Sequence, residues 1–507
     1  MQVKFLQMKE KNSLHRSFVR LAFYWYLGFF FLRLPLCFGT ISNDVPPLLR
    51  NTEWVDRIEV YGCSARTFRA FQPQSHSDLL EALMVYADAD CAGPQWLLEE
   101  RQILGRSYLQ SEARVFALLA NDVPLRLIGQ TASVDPFQSL REGRSAFSGS
   151  SLYGELNLNS QGVQGGEWGW AFSITPGLVF AHENANKIIG KMYLQEGYFK
   201  AGYRRTEIVL GRIPERFGDS KHGNLILSAA SKPIDLVKLV VRPHWIRPLS
   251  FLGPATFQTW IGSDENTSGK KDSRLWGIQF GMRPLTFLEF GFLNLMQFGG
   301  TGAPSLNFSD YFNFLIGSQS PEIKQKRHQS YGTHLALWGP SQEFKIYNQL
   351  FFGTLGRVED WFSEDVSWLV GIWFPKWEKW DLRFEWAHTQ SSAYSDSQWT
   401  QGWTNAGSPL GHPLGNSGQG FYLDLGLPPL SKWRPELEFS YEQRNRDQLE
   451  GLETETRLGM AAGATRRWLA TELNVQLKVQ RVENLNYSVS EPKWEGGAYG
   501  FLRYSFL

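Results

Sequence analysis

The chain has 507 residues, 15% of them aromatic and only 20% charged, and its 51 basic and 50 acidic side chains leave a formal charge of +1. So balanced a charge gives no bulk attraction to nucleic acid. A mean hydropathy of −0.30 excludes a helical membrane protein, and the abundance of Trp, Phe and Tyr excludes intrinsic disorder. Length alone suggests about three soluble domains, a poor fit to a chain that is rich in aromatics yet hydrophilic on average.

At the N-terminus, Lys4, Lys9, Lys11, Arg16 and Arg20 precede the run LAFYWYLGFFFLRLPLCFG. A basic start, an apolar run and Gly39-Thr40 read as an export signal spanning 1–39. A membrane anchor is the alternative, but Arg33 and Pro35 cut the apolar run to roughly 12 residues, short of the ~20 that a spanning helix needs. Its removal would leave Cys63 and Cys91. In an oxidising compartment these could close a disulfide of about 3–4 kcal/mol, and two independent thiols fit the sequence equally well. With no CxxC and no HExxH, neither a metal site nor a cofactor is expected.

Residues 40–122 read as a small helical segment. Ser77 or Asp78 caps a stretch with Leu79, Leu80, Leu83 and Met84 at helical spacing, and Trp96, Leu97, Ile103 and Leu104 make a second apolar stripe. From residue 123 to 507 the period becomes two. Leu382, Phe384 and Trp386 alternate with Asp381, Arg383 and Glu385, and Phe421, Leu423 and Leu425 with Tyr422, Asp424 and Gly426. Leu437, Phe439 and Tyr441 alternate in the same way with Glu438, Ser440 and Glu442. A soluble sandwich and a transmembrane barrel both give this pattern. Strands longer than ten residues favour the barrel, because soluble strands average about 5–6 and outer-membrane strands about 9–11.

About eighteen strands can be marked, and but for 181–186 and 244–254 their connections alternate between short and long, as periplasmic turns alternate with extracellular loops. The short ones include Arg204-Arg205, Pro284-Leu285 and Thr465-Arg466; the long ones include 132–148, 214–234, 299–328 and 391–418. Trp338, Trp373, Trp377, Trp380, Trp433 and Trp468 lie beside short turns, where an interfacial aromatic girdle is expected. The fold class is therefore an all-β transmembrane barrel of about eighteen antiparallel strands with a small N-terminal periplasmic helical segment.

Three blocks suggest what such a barrel does. LGRIPERFGDSKHGNLILSAASKP (210–233), then PLSFLGPATFQTWIGS (248–263) with SRLWGIQFGMRPLTFLEFGFLNLMQFGGTGAPS (273–305), then AYSDSQWTQGWTNAGSPLGHPLGNSGQGFYLDLGL (393–427) stand in that order. They resemble the Wzi family of outer-membrane capsule assembly proteins over most of 120–507. The resemblance implies an 18-stranded barrel with a periplasmic helical bundle. It also implies a surface lectin that holds exported capsular polysaccharide and passes no polymer, and a protein that is not an enzyme. The expected partners are capsular or exopolysaccharide and outer-membrane lipid, with the export machinery a further candidate and nucleic acid excluded.

A sugar site needs aromatic faces for C–H surfaces and planar amides or carboxylates for hydroxyl pairs. The loop 391–418 offers Tyr394, Asp396, Trp399, Gln401, Trp403, Asn405, His412 and Asn416. The loop 214–234 adds Arg216, Asp219, Lys221, His222 and Asn224, and 299–328 adds Asn307, Asp310 and Tyr311. The same residues would serve loops that fold inward and bond one another. Glu385 shares a face with Arg383 and reads as half of an ion pair. Neither a GxSxG nor a P-loop occurs. The rival functional class is a porin or substrate-specific channel, since wide barrels commonly conduct.

Overall fold

The computed structural model describes residues 71–72 and, with breaks in several loops, 119–505. The signal segment, nearly all of the helical segment, and Cys63 and Cys91 lie outside the described residues.

The strands close into one antiparallel barrel. In chain order they are β1 (Leu119–Gln130), β2 (Ser150–Glu155 continued by Asn157–Gln164), β3 (Trp168–Asn184), β4 (Lys187–Tyr203), β5 (Thr206–Ile213) and β6 (Ile234–Val241). Next come β7 (Ala255–Ser263), β8 (Arg274–Leu285), β9 (Leu288–Phe298), β10 (Arg327–Trp338), β11 (Lys345–Phe352) and β12 (Val366–Trp377). The last six are β13 (Trp380–His388), β14 (Gln419–Gly426), β15 (Trp433–Arg444), β16 (Glu455–Trp468), β17 (Thr471–Glu483) and β18 (Lys493–Ser505). With the two pieces of β2 taken as one strand, the count agrees with the sequence. Closure comes from β1 and β18, paired from Asp122↔Ser505 to Gln130↔Gly497. Closing the sheet leaves no edge, so every strand finds partners on both sides where no water can supply them.

Alternation carries through to the wall. On β14, Phe421 and Leu423 face outward while Tyr422 and Asp424 face the lumen, where both meet loop side chains. Trp368, Trp386, Phe421 and Tyr441 form a continuous aromatic row on the outside of β12 to β15, within a few residues of the extracellular strand ends. On the opposite side the expected girdle needs a correction. Trp380 and Trp433 fall on the outward register, but Trp338 and Trp373 turn inward and are buried, with Lys345 over the first and Arg383 over the second. Parity decides this: at the foot of β10 and β12 the tryptophan falls on the lumen register, and a cation on the ring offsets its burial there.

Candidate functional site

Two of the long loops, 214–233 and 389–418, fold into the lumen and meet there. The first makes a hairpin-like return, with Phe217 N–H donating to Leu227 O at 3.0 Å. The second is pinched at its neck, where Thr389 and Gly418 exchange backbone bonds of 2.8 and 3.1 Å. Ser228 N–H donates to Leu410 O at 2.8 Å, joining the two loops. At Gly223, where φ is +139°, a side chain would run into Pro413 of the other loop, so the close approach and the backbone conformation both call for glycine. From before the barrel, Phe71–Gln72 pairs antiparallel with Arg216–Phe217 of the first loop.

The plug is fixed to the wall by carboxylates that point inward. Glu385 on β13 accepts from Ser220 Oγ at 2.9 Å, Lys221 N at 2.8 Å and His222 N at 3.1 Å, and also from the Tyr347 hydroxyl. It is thus a receptor for the loop backbone and not simply the ion-pair partner of Arg383 that its strand suggests. Asp424 on β14 holds Lys221 Nζ at 2.6 Å and His222 Nε2 at 2.9 Å. The His222 ring stacks on Tyr422, with centroids 4.3 Å apart and planes 8° from parallel. Burial pushes the His222 pKa down, but Asp424, Glu438 and Glu385 around it outweigh that and leave it raised. Deeper still, Asp219 lies 2.9 Å from Lys345 Nζ and 3.0 Å from His334 Nε2. Burial pushes its carboxyl up, and Lys345 and the His334 ring beside it hold it well below the usual carboxylate range.

Two groups here have the ligand types of a metal site, Asp219–Glu289–His334 and His222–Asp424–Glu438. Each already contains a cation. Lys345 pairs with Asp219, Lys221 with Asp424, and Lys478 with Glu438 at 2.9 Å. The ammonium groups do what an ion would do, which is to neutralise clustered carboxylates.

The residues nominated from the sequence therefore fall into distinct settings. Tyr394, Trp403, Asn405 and His412 are buried in the second loop. Tyr394 hydroxyl donates to Leu225 O at 2.8 Å and accepts from His412 N. Trp403 Nε1 donates to Ser330 Oγ at 3.0 Å, and its ring lies 4.4 Å from that of His328. Asn405 Nδ2 donates to Lys232 O at 3.2 Å. Burial lowers the His412 pKa to about 4, so its ring stays neutral. Arg216, Asp219, His222 and Asn224 belong to the first loop. Arg216 donates to Ser220 O, and Asn224 Oδ1 accepts from Ser220 N and Gln349 Nε2. Asn416 is half-buried near the rim and accepts from Tyr394 N at 2.7 Å. Asp396, Trp399 and Gln401 lie outside the described residues.

Asp310 and Tyr311 are elsewhere altogether, on helix α1 (Phe308–Leu315). Asn307 Oδ1 accepts from Asp310 N, and Asp310 Oδ2 accepts from Asn307 N at 2.8 Å, a reciprocal cap at the helix start. Lys326 pairs with the same carboxylate at 3.0 Å. The sequence missed Glu385, Asp424, Tyr347 and Gln349 as partners of the loops. Their only signal was a polar side chain on the lumen register.

Comparison with known proteins agrees with this architecture. The family model described as capsule assembly protein Wzi matches residues 141–493. A 55.8 kDa uncharacterised protein from the cps region of Klebsiella pneumoniae is 24% identical over 361 residues, which cover 66% of this chain and 64% of the relative, just under two thirds of its length. Among solved structures, Wzi of Escherichia coli, titled an outer-membrane protein involved in group 1 capsule assembly and a carbohydrate-binding β-barrel, superposes with a TM-score of 0.67 at 17% identity. That alignment covers 92% of this chain and 100% of the other, a likeness of fold. With a family match running from the second strand to the last, the chain belongs to the Wzi family of capsule assembly proteins.

Proposed function

We propose that this barrel holds capsular polysaccharide or exopolysaccharide at the outer face of the outer membrane, as a non-enzymatic lectin-like anchor. The observation that carries this reading is the inward folding of loops 214–233 and 389–418, the first tied to the wall through Glu385 and Asp424 and the second joined to the first and to Ser330 of β10. A lumen occupied in this way favours binding at the rim over passage of solute. Within it, the buried Tyr394, Trp403, Asn405, His412, Arg216, Asp219, His222 and Asn224 build the platform. Sugar contact falls to the rim around Asn416, and Trp399 and Asp396 of the same loop are assigned to it on their chemistry. Arg446 and Asp447 extend this rim, since Arg446 N–H donates to Ser417 O at 2.7 Å.

The test has two arms. Purified protein is applied to immobilised capsular polysaccharide and compared with Trp399→Ala and Asn416→Ala; binding lost in the variants supports the rim site, and binding unchanged in both refutes it. Planar-bilayer conductance addresses the channel reading. Large, steady single-channel steps from the wild type would replace the anchor with a pore.

A further inference from the structure

The lipid-facing wall is covered on β9 by the protein itself. Many outward residues along the strands are well exposed, as Ile261 on β7 is at 44%. On the extracellular end of β9 the outward Met296 and Phe298 are instead 0% and 3% exposed. What covers them is α1, in the loop 299–326. Phe314 packs with Met296 and Phe298, and Tyr311 lies edge-on to Phe298 at 5.9 Å and 6.5 Å from Trp276. Arg327 clamps the helix with its guanidinium over Phe314 at 5.0 Å. So this loop turns outward and down over the barrel's outside, where the other two turn in.

Polar groups on the same strip of wall require the cover. Asn294 and Gln329 also point outward, bonded to each other at 2.8 Å and both buried. Against hydrocarbon such amides would be costly, so the strip is made to lie under the loop.

The far side of α1 is apolar too. Phe308 is 77% exposed, and it stands edge-on to Phe312 one turn on, with ring centroids 5.1 Å apart. A helix with aromatics on both its faces is a poor match for water. The loop that carries this edge leaves the extracellular end of β9, the end of the barrel at which Trp368 and Trp386 mark the boundary on β12 and β13. We propose that α1 is an interfacial lipid-binding element, seated on the outer wall with its Phe308–Phe312 edge inserted into the outer leaflet at the boundary of headgroup and acyl chain.

A nitroxide scan tests this. All three native cysteines are replaced by serine, and single Phe308→Cys, Phe312→Cys, Phe384→Cys and Ser488→Cys proteins are spin-labelled. Each is reconstituted in vesicles of phosphatidylethanolamine, phosphatidylglycerol and lipopolysaccharide. Power saturation then compares collisions with oxygen, which partitions into lipid, and with a water-soluble nickel chelate. The labels on α1 should favour oxygen several-fold over the Ser488→Cys label in its exposed loop, approaching the Phe384→Cys label on the bare wall. A nickel-to-oxygen ratio equal to that at Ser488→Cys would put α1 in water and overturn the proposal. Strong spin–spin broadening with low oxygen access would overturn it by placing a second copy of the chain on this face. Two labelled positions on α1 keep the result readable if one variant fails to fold.

Discussion

The lumen has two unlike walls. From β4 to β13 it presents Tyr198, Val209, Leu236, Trp260, Leu293, Tyr347 and Trp373, and these join Phe217, Leu225, Tyr394, Trp403 and Leu410 of the loops in one apolar core. From β15 to β17 it presents Glu438, Ser440, Gln476, Lys478 and Gln480, with Gly459 and Gly463 among them, and none of these residues enters that core. The first wall holds a plug much as a soluble domain holds its core; the second is the charged and amide lining expected of a water-facing barrel. The contrast shows how one barrel can be obstructed without losing the polar interior of its class: only an arc of wall need be made apolar.

The largest effect should come from the plugged wall. Trp403→Ala removes a buried aromatic and its bond to Ser330, at a cost of about 3–5 kcal/mol, seen as a lower unfolding temperature of the detergent-solubilised barrel. Gln480→Ala on the polar wall, which loses a 3.2 Å bond to Glu495, should cost only about 1 kcal/mol. Equal losses from the two would erase the distinction between the walls.

Next is the tie between loop and wall. Glu385→Gln keeps the shape and removes the charge that three loop donors share, weakening the hold on loop 214–233 by about 1.5–3 kcal/mol. Hydrogen exchange at the Lys221 and His222 amides should quicken while strand amides on β16 and β17 stay protected.

Acidity should act on the two loops in opposite senses. His412 has a pKa depressed from 6.5 to about 4, so its contribution is present above the unfolded value and is lost as pH falls from about 6.5 towards 4. The His222 pKa is raised, so its contribution is full below the unfolded value and fades as pH rises through the folded one. Limited proteolysis should cut loop 389–418 faster on acidification, and His412→Phe should remove that dependence. A single common pH trend in both loops would contradict this assignment.

The smallest effect lies at the rim. Arg446 and Asp447 form an ion pair at 3.1 Å with both side chains more than a third exposed. Arg446→Ala should therefore change stability by less than about 1 kcal/mol. A fall in polysaccharide retention by that variant then reports on binding and not on folding.

Much of the wall was legible because alternation is a local signal. Leu382, Phe384 and Trp386 announce an outward face wherever the strand is placed, and the lengths of the connections set which end is which. The girdle tryptophans show the limit of that signal, since Trp373 and Trp380 flank one turn yet face opposite sides. The loop residues were legible as a set with two uses, sugar contact or mutual bonding. Their burial depends on partners far away in the chain, 165 positions for Ser220 and Glu385 and 169 for Tyr394 and Leu225. No window of sequence contains both.

The sequence by itself determined a closed antiparallel barrel and its strand number, because a period of two and the need to pair every backbone group leave little else. Only the tertiary structure decided where the loops go. The loop 214–233 turns inward because the lumen register of β13 and β14 carries carboxylates to receive it, and 389–418 joins it there and bonds Ser330 of β10. The one carrying α1 turns outward because the outward register of β9 carries Met296 and Phe298 to seat it. Direction is a matter of complementarity between remote faces, and that is written in the pairing of surfaces and not along the chain.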